Sequence, residues 1–241
     1  MINKEEDPMG QAIYNYFHHK DDTSVKIDTN ITEGEELPVS YLFRSFDEMP
    51  LLEKEALALV KGTVLDIGAG AGAHSVYLQE KGFDVTSIDV SSLSCEVMKS
   101  RELLKVSCSD IWTLKPQVFD TVLFMMNGIG LVKTLEGLET FFEHIKKYVA
   151  PNGQVLLDSS DLKYMFEDEE GGFWVDLNSS YYGELEYSLS YKDCIAEPFP
   201  WLFVDFEKLS DAAKRSGWNV EMIYQDDHFL YLVKLTRVSL I

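Results

Sequence analysis

The sequence predicts an α/β fold: a parallel sheet with helices on both faces and one antiparallel strand near its end. Three observations predict it. Short apolar runs alternate with amphipathic segments between residues 63 and 157, as βα units do. One run, Phe119–Met126, is almost wholly apolar, as a central parallel strand buried on both faces should be. Near the C-terminus, strand-like Asn219–Tyr224 and Phe229–Leu235 are separated only by Gln225–His228, so they can join only as a hairpin.

The elements follow in order. Met9–His19 carries Ile13, Tyr14 and Phe17 at helical spacing, and Lys20–Pro38 reads as loop. Pro50 opens a helix through Leu51, Leu52, Glu55, Leu59 and Val60 that stops at Gly62. Thr63–Ile67 is a buried strand before a Gly cluster, Ala73–Lys81 a helix ended by Gly82, and Asp84–Ile88 a strand. Leu93–Ser100 is helical and Leu104–Cys108 a weaker strand. Leu138, Phe141, Phe142, Ile145 and Val149 recur three and four apart, making Glu136–Val149 amphipathic. Pro151-Asn152-Gly153 reads as a turn before the strand Gln154–Leu157, and Asp205–Ser216 is a helix closed by Gly217.

Between them lies a segment of different composition. Residues 158–207 hold 13 acidic residues against Lys163 and Lys192, and 12 of the 30 aromatics. Tyr187, Leu189 and Tyr191 alternate with Ser188 and Ser190, a strand with one packed face. The expected organisation is a cap or lid over 1–50, a core over 51–158, an acidic aromatic insertion over 159–204 on the substrate side, and a completing helix and hairpin over 205–241.

The 241 residues, 46% apolar, suffice for one α/β domain that buries roughly 70–75% of its unfolded surface without a staple. Cys95, Cys108 and Cys194 are odd in number and widely spaced, which fits a reducing compartment. No apolar run approaches the about 18 residues of a membrane span, and the acidic start does not resemble a signal peptide. A cytoplasmic protein is expected. The formal charge of −20 disfavours nucleic acid and anionic membranes as partners. His18, His19, His144 and His228 lack metal-ligand spacing, so no metal is expected.

The chemistry-bearing signal is Val64-Leu65-Asp66-Ile67-Gly68-Ala69-Gly70-Ala71-Gly72, a strand running into a glycine turn and a helix. Glycines let backbone approach a ligand closely. The loop alone does not choose between cofactors, because Gly68-x-Gly70-x-x-Ala73 also meets the loose dinucleotide pattern. Asp89 ends the second strand, where a carboxylate can accept from both hydroxyls of a ribose. Asp110 and Ile111 follow the third strand and could bracket an adenine. Asn127 and Gly128 end the fourth.

With Ser87-Ile88-Asp89, Cys108-Ser109-Asp110-Ile111, Phe119-Asp120-Thr121-Val122-Leu123 and Leu156-Leu157-Asp158, this pattern resembles the class I S-adenosylmethionine-dependent methyltransferases over roughly residues 50–158. The resemblance implies a Rossmann-like seven-stranded sheet of order 3-2-1-4-5-7-6 with the seventh strand antiparallel. It implies S-adenosyl-L-methionine as cofactor, with Asp66, Gly68, Ala69, Gly70 and Gly72 along its methionine part. Asp89, with Val90 beside it, would hold the ribose, and Asp110 and Ile111 would flank the adenine. Asn127 would face the substrate, and Arg44 would reach the cofactor carboxylate. Gly128-Ile129-Gly130 replaces the Pro-Pro-Tyr/Phe of amide- and adenine-N-methylating relatives, which speaks against such acceptors.

Bland readings stand beside these. Asp89 could cap the next helix, Asp110 a turn, and Arg44 and His74 could be surface residues. Asp120 reads as structural. Aromatic faces and carboxylates attract cations, so the insertion suggests a small, amine-bearing acceptor; its alternative is self-packing with solvated charges. Tyr14, His18, Asp158, Asp161 and Tyr182 are the candidate substrate residues, and Tyr14, His18, His19, Asp158 and Asp161 the candidate bases. A monomer or homodimer is expected. The rivals are a nicotinamide-dependent oxidoreductase and a non-catalytic S-adenosylmethionine-binding regulator.

Overall fold

The computed structural model describes residues 2–166 and 180–238. In chain order the elements are α1 (Pro8–His19), β1 (Val25–Thr29), β2 (Glu35–Leu37), α2 (Leu51–Ala58), β3 (Thr63–Ile67), α3 (Ala73–Glu80), β4 (Asp84–Asp89), α4 (Ser92–Ser100), β5 (Val106–Cys108), β6 (Phe119–Phe124), α5 (Gly137–Ile145), β7 (Val149–Ser160), β8 (Glu184–Tyr191), β9 (Cys194–Ile195), β10 (Phe199–Leu202), α6 (Phe206–Arg215), β11 (Trp218–Gln225) and β12 (Leu230–Arg237).

Seven strands form the main sheet in the order β5-β4-β3-β6-β7-β12-β11. Counted in chain order this is 3-2-1-4-5-7-6. All are parallel except β12, which runs antiparallel to both β7 and β11. The period-2 pleat sorts the core into two layers. Val64, Leu123, Leu156 and Leu232 pack with Leu52, Ala56 and Leu57 of α2 and Leu78 of α3. Their neighbours Leu65, Val122, Val155 and Val233 pack on the opposite face. There they meet Leu138, Phe141, Phe142 and Ile145 of α5 and Leu209, Ala212 and Ala213 of α6.

Three local expectations change. Pro151-Asn152-Gly153 lies inside β7, where the register with β6 slips between Phe119↔Val149 and Thr121↔Gln154, so the expected turn is a bulge. The amphipathic helix stops at Ile145, and Val149 begins the next strand. Lys20–Pro38 supplies two strands rather than a loop alone. Lys26↔Ser190 and Ile27↔Leu189 pair β1 with β8, and β2 and β10 complete a second antiparallel sheet of order β10-β8-β1-β2, with β9 on β8.

That pairing joins segments some 160 residues apart in sequence, which local pattern cannot reveal. The N-terminal segment and the insertion therefore share one sheet above the carboxyl ends of the main-sheet strands. Helix α1 anchors this layer. Its N-cap Asp7 accepts the N–H of Gly10 at 2.8 Å and the hydroxyl of Ser91 at 2.6 Å, and Ser91 in turn caps α4 through the N–H of Ser94. Part of the expected insertion, residues 167–179, lies outside the described residues. Among the described residues no helix is long and apolar enough to cross a membrane.

Candidate functional site

A cavity of about 480 Å³ opens where β3, β4 and β6 end, beneath the second sheet. Such clefts at the carboxyl edge are where open α/β sheets bind ligands. Its floor is the turn after β3. Gly68 and Gly70 have φ of +69° and +56°, a region that disfavours residues with a Cβ. An added Cβ at Gly68 would meet no atom within 4 Å, so the backbone there is bare toward open space. The N–H groups of Gly68 and Ala69 are held by the carbonyl of Ile88, and that of Gly70 donates to Asp89 Oδ2 at 2.8 Å.

Asp89 also accepts from the N–H of Ser91 at 2.8 Å. Burial raises its pKa above the ordinary carboxylate range, against the pull of those two amide bonds. Asp66 lies deeper and accepts from the hydroxyl of Ser75 at 2.6 Å; burial raises it too, opposed by His74.

His74 does not sit on the helix surface. It is 6% exposed, with Nε2 2.8 Å from Glu53 Oε2. Helix α2 packs across the first turn of α3 and places Glu53 there. Arg44 is likewise buried, its guanidinium forked onto the same carboxylate and stacked 4.0 Å from the Tyr41 ring. Burial raises Glu53, but its bonds and charge pairing with His74 and Arg44 outweigh that and hold it below the ordinary range.

At the end of β6, Met126 and Asn127 are both left-handed, with φ of 58° and 56°. The turn is held from three sides. Asn127 N–H donates to Asp158 Oδ1 at 3.1 Å, its Oδ1 accepts from Ser159 at 2.7 Å, and its Nδ2 donates to the Leu202 carbonyl at 3.1 Å. Burial pushes the Asp158 carboxyl up to about 7.

Of the cofactor candidates, Arg44, Asp66, Gly68, Ala69, Gly70, Asp89, Val90 and Asn127 line this cavity. Gly72, Asp110 and Ile111 do not. Gly72 is the N-cap of α3 and faces Leu103 and Met98. Asp110 accepts from the N–H of Trp112, and Ile111 belongs to the core. The substrate candidates lie elsewhere as well. Tyr14 packs against the exposed His18, Tyr182 donates to Asp161 at 2.6 Å, and Asp158 sits behind Asn127. Asp120 accepts from Thr63 and ties β6 to β3. Among the described residues no cluster of three metal-ligating side chains occurs.

Residues that the sequence reading passed over complete the walls. Asp7, Met9, Ile13, Ile27 and Leu37 come from the N-terminal layer, and Tyr187, Leu189, Phe199, Trp201 and Phe203 from the insertion. The alternation around Tyr187 was the available signal; the pairing that carries it to the cavity was not.

Residues 64–153 match a family model described as a methyltransferase domain. A methyltransferase of Bacteroides fragilis, described as S-adenosylmethionine-dependent and solved with S-adenosyl-L-homocysteine, is 41% identical. That likeness covers 99% of this chain and 98% of the other, with a TM-score of 0.92. The chain belongs to the S-adenosylmethionine-dependent methyltransferases. It is an enzyme of that class I family, with S-adenosyl-L-methionine as its cofactor.

More distant relatives share less. YqeM of Bacillus subtilis, a provisionally assigned methyltransferase, is 33% identical over 114 residues, which are 43% of this chain and 44% of YqeM. The chain thus spans less than half of that relative's length. A 23S rRNA (uracil(747)-C(5))-methyltransferase of Pyrococcus abyssi is 27% identical over 120 residues, 49% of this chain and 28% of the relative.

Proposed function

We propose that this methyltransferase acts on a small-molecule acceptor held in the roofed cavity. The observation that carries the reading is that one continuous cavity joins the glycine turn and Asp89 to an apolar wall from the second sheet. A cavity of about 480 Å³ is of the size that takes small ligands. The chain's charge of −20 disfavours an RNA acceptor, whose phosphates need a basic surface.

The residues present fit the cofactor. Bare backbone at Gly68 admits a ligand in van der Waals contact, and Asp89 stands where a diol would find a carboxylate. In this reading Gly68, Ala69, Gly70 and Asp66 line the methionine side, Asp89 and Val90 hold the ribose, and Arg44 with His74 closes the charged end. Asp110 and Ile111 lie outside the lining of this cavity. When bound, the cofactor supplies an activated methyl group on a sulfonium. The chain's own part is to orient: aligning the acceptor in line can supply roughly 7–11 kcal/mol of the barrier.

The sequence suggests an amine-bearing acceptor, and the aromatic half of that argument fits the cavity. Of the described carboxylates of the insertion, Glu184 accepts the N–H of Leu135 and Glu186 is exposed, and neither lines the cavity. Calorimetry tests the proposal's first step: S-adenosylhomocysteine should bind and NAD should not. A metabolite screen with labelled methyl groups then tests the second, and transfer only to RNA would refute a small acceptor.

A further inference from the structure

The two ends of the cavity differ in chemistry. Toward the glycine turn, each group able to take a proton already has a partner. Asp7 accepts from Gly10 and Ser91, Asp66 from Ser75, Asp89 from Gly70 and Ser91, and His74 is bonded to Glu53. The opposite wall is made of rings. The centroid of Tyr187 lies 6.0 Å from Phe199, 6.4 Å from Trp201 and 6.2 Å from Phe203, and Phe199 meets Trp201 edge-on. Among the described residues this wall carries no carboxylate and no cation. Its one titratable group, the Tyr187 hydroxyl, is kept protonated by burial and by the nearby Glu35 carboxylate.

A surface of several rings favours a flat apolar partner that can stack or meet it edge-to-face.

We infer that the acceptor presents a planar aromatic ring seated against Tyr187, Phe199, Trp201 and Phe203. This rests on the small-acceptor reading above and deepens it. The acceptor's nucleophilic atom forms its new bond to the methyl carbon as the S–C bond breaks, and the pair of the broken bond returns to sulfur, leaving the neutral thioether S-adenosylhomocysteine. The positive charge passes to the acceptor atom, and any proton it then sheds leaves to water.

Titration calorimetry on the full chain saturated with S-adenosylhomocysteine tests this, with isoquinoline as the neutral ring probe and cyclohexylamine, an ammonium at neutral pH, as the contrast. Isoquinoline should bind about tenfold or more tightly than cyclohexylamine, and Trp201→Leu should remove about tenfold of that affinity while leaving S-adenosylhomocysteine affinity within about threefold. Should Trp201→Leu misfold, Phe199→Leu carries the same test. No isoquinoline binding, equal or tighter binding of cyclohexylamine, or indifference to both substitutions overturns the inference. Failure of the wild-type chain to bind S-adenosylhomocysteine would strike the cofactor site itself, and this inference with it.

Discussion

A Cβ added to Gly130 would stand 2.1 Å from the indole nitrogen of Trp201. The ring of the second sheet thus rests directly on backbone just beyond the carboxyl end of β6. This contact sets the height of the aromatic wall above the Met126–Asn127 turn. Gly130→Ala should push the indole away, costing about 1–3 kcal/mol by overpacking. Acceptor turnover should fall well before S-adenosylhomocysteine affinity does. A parallel loss of both in kinetics and calorimetry would show that the contact is merely part of general stability.

Asp89 has two tasks, holding the amides of Gly70 and Ser91 and offering remaining lone pairs to the cavity. Asp89→Ala should weaken S-adenosylhomocysteine by about 10- to 100-fold, the worth of a hydrogen bond to a charged group at roughly 1.5–3 kcal/mol. Calorimetry reads this directly, and an unchanged dissociation constant would remove Asp89 from the cofactor site.

Glu53 is buried between Arg44 and His74, so removing its charge strands a guanidinium. Glu53→Gln should cost about 3–5 kcal/mol in urea unfolding at neutral pH. The sign with pH is fixed by its lowered pKa. The contribution is complete above the ordinary glutamate range and is lost as pH falls through the lower folded value. The gap between variant and wild type should therefore close on acidification; a gap independent of pH would exclude the charge as its source.

Asp158 works in the opposite direction. Burial raises it from 3.8 to about 7, so the folded state favours its protonated form. No cost arises below the unfolded value; the penalty grows as pH rises from about 4 through about 7 and then levels, reaching on the order of 4 kcal/mol. Asp158→Asn keeps an acceptor for the N–H of Asn127 and should flatten that slope. Identical pH profiles from denaturant melts of the two proteins would defeat the assignment.

Ser91 links the two layers, donating to Asp7 and capping α4. Ser91→Ala should cost about 1–2 kcal/mol through the lost cap. Amides of α1 should also exchange faster, whereas exchange in α5 stays unchanged. Uniform acceleration throughout the chain would mean that α1 is not selectively anchored there.

Much of the main sheet was legible because its determinants are local. The apolar run of β6, the 3.6-residue pattern of Leu138, Phe141, Phe142 and Ile145, and the short Gln225–His228 connection each specify an element within a few residues. The glycine turn was legible for the same reason, since left-handed backbone at Gly68 and Gly70 favours glycine in the sequence itself. Where a local rule met a longer constraint it gave way, as at Pro151-Asn152-Gly153, where pairing with β6 turned an expected turn into a bulge.

The sequence alone determined the alternating strands and helices of the core, the glycine turn and the family resemblance that implied the strand order, because periodicity and glycine placement are short-range properties of the chain. Only the tertiary structure decided what roofs the cavity. Ile27 finds Leu189, Asp7 finds Ser91, Glu53 finds His74 and Trp201 finds Gly130 across separations of 21 to 162 residues. Such meetings are selected by burial and hydrogen-bond satisfaction in the folded whole, and no short stretch of sequence carries them.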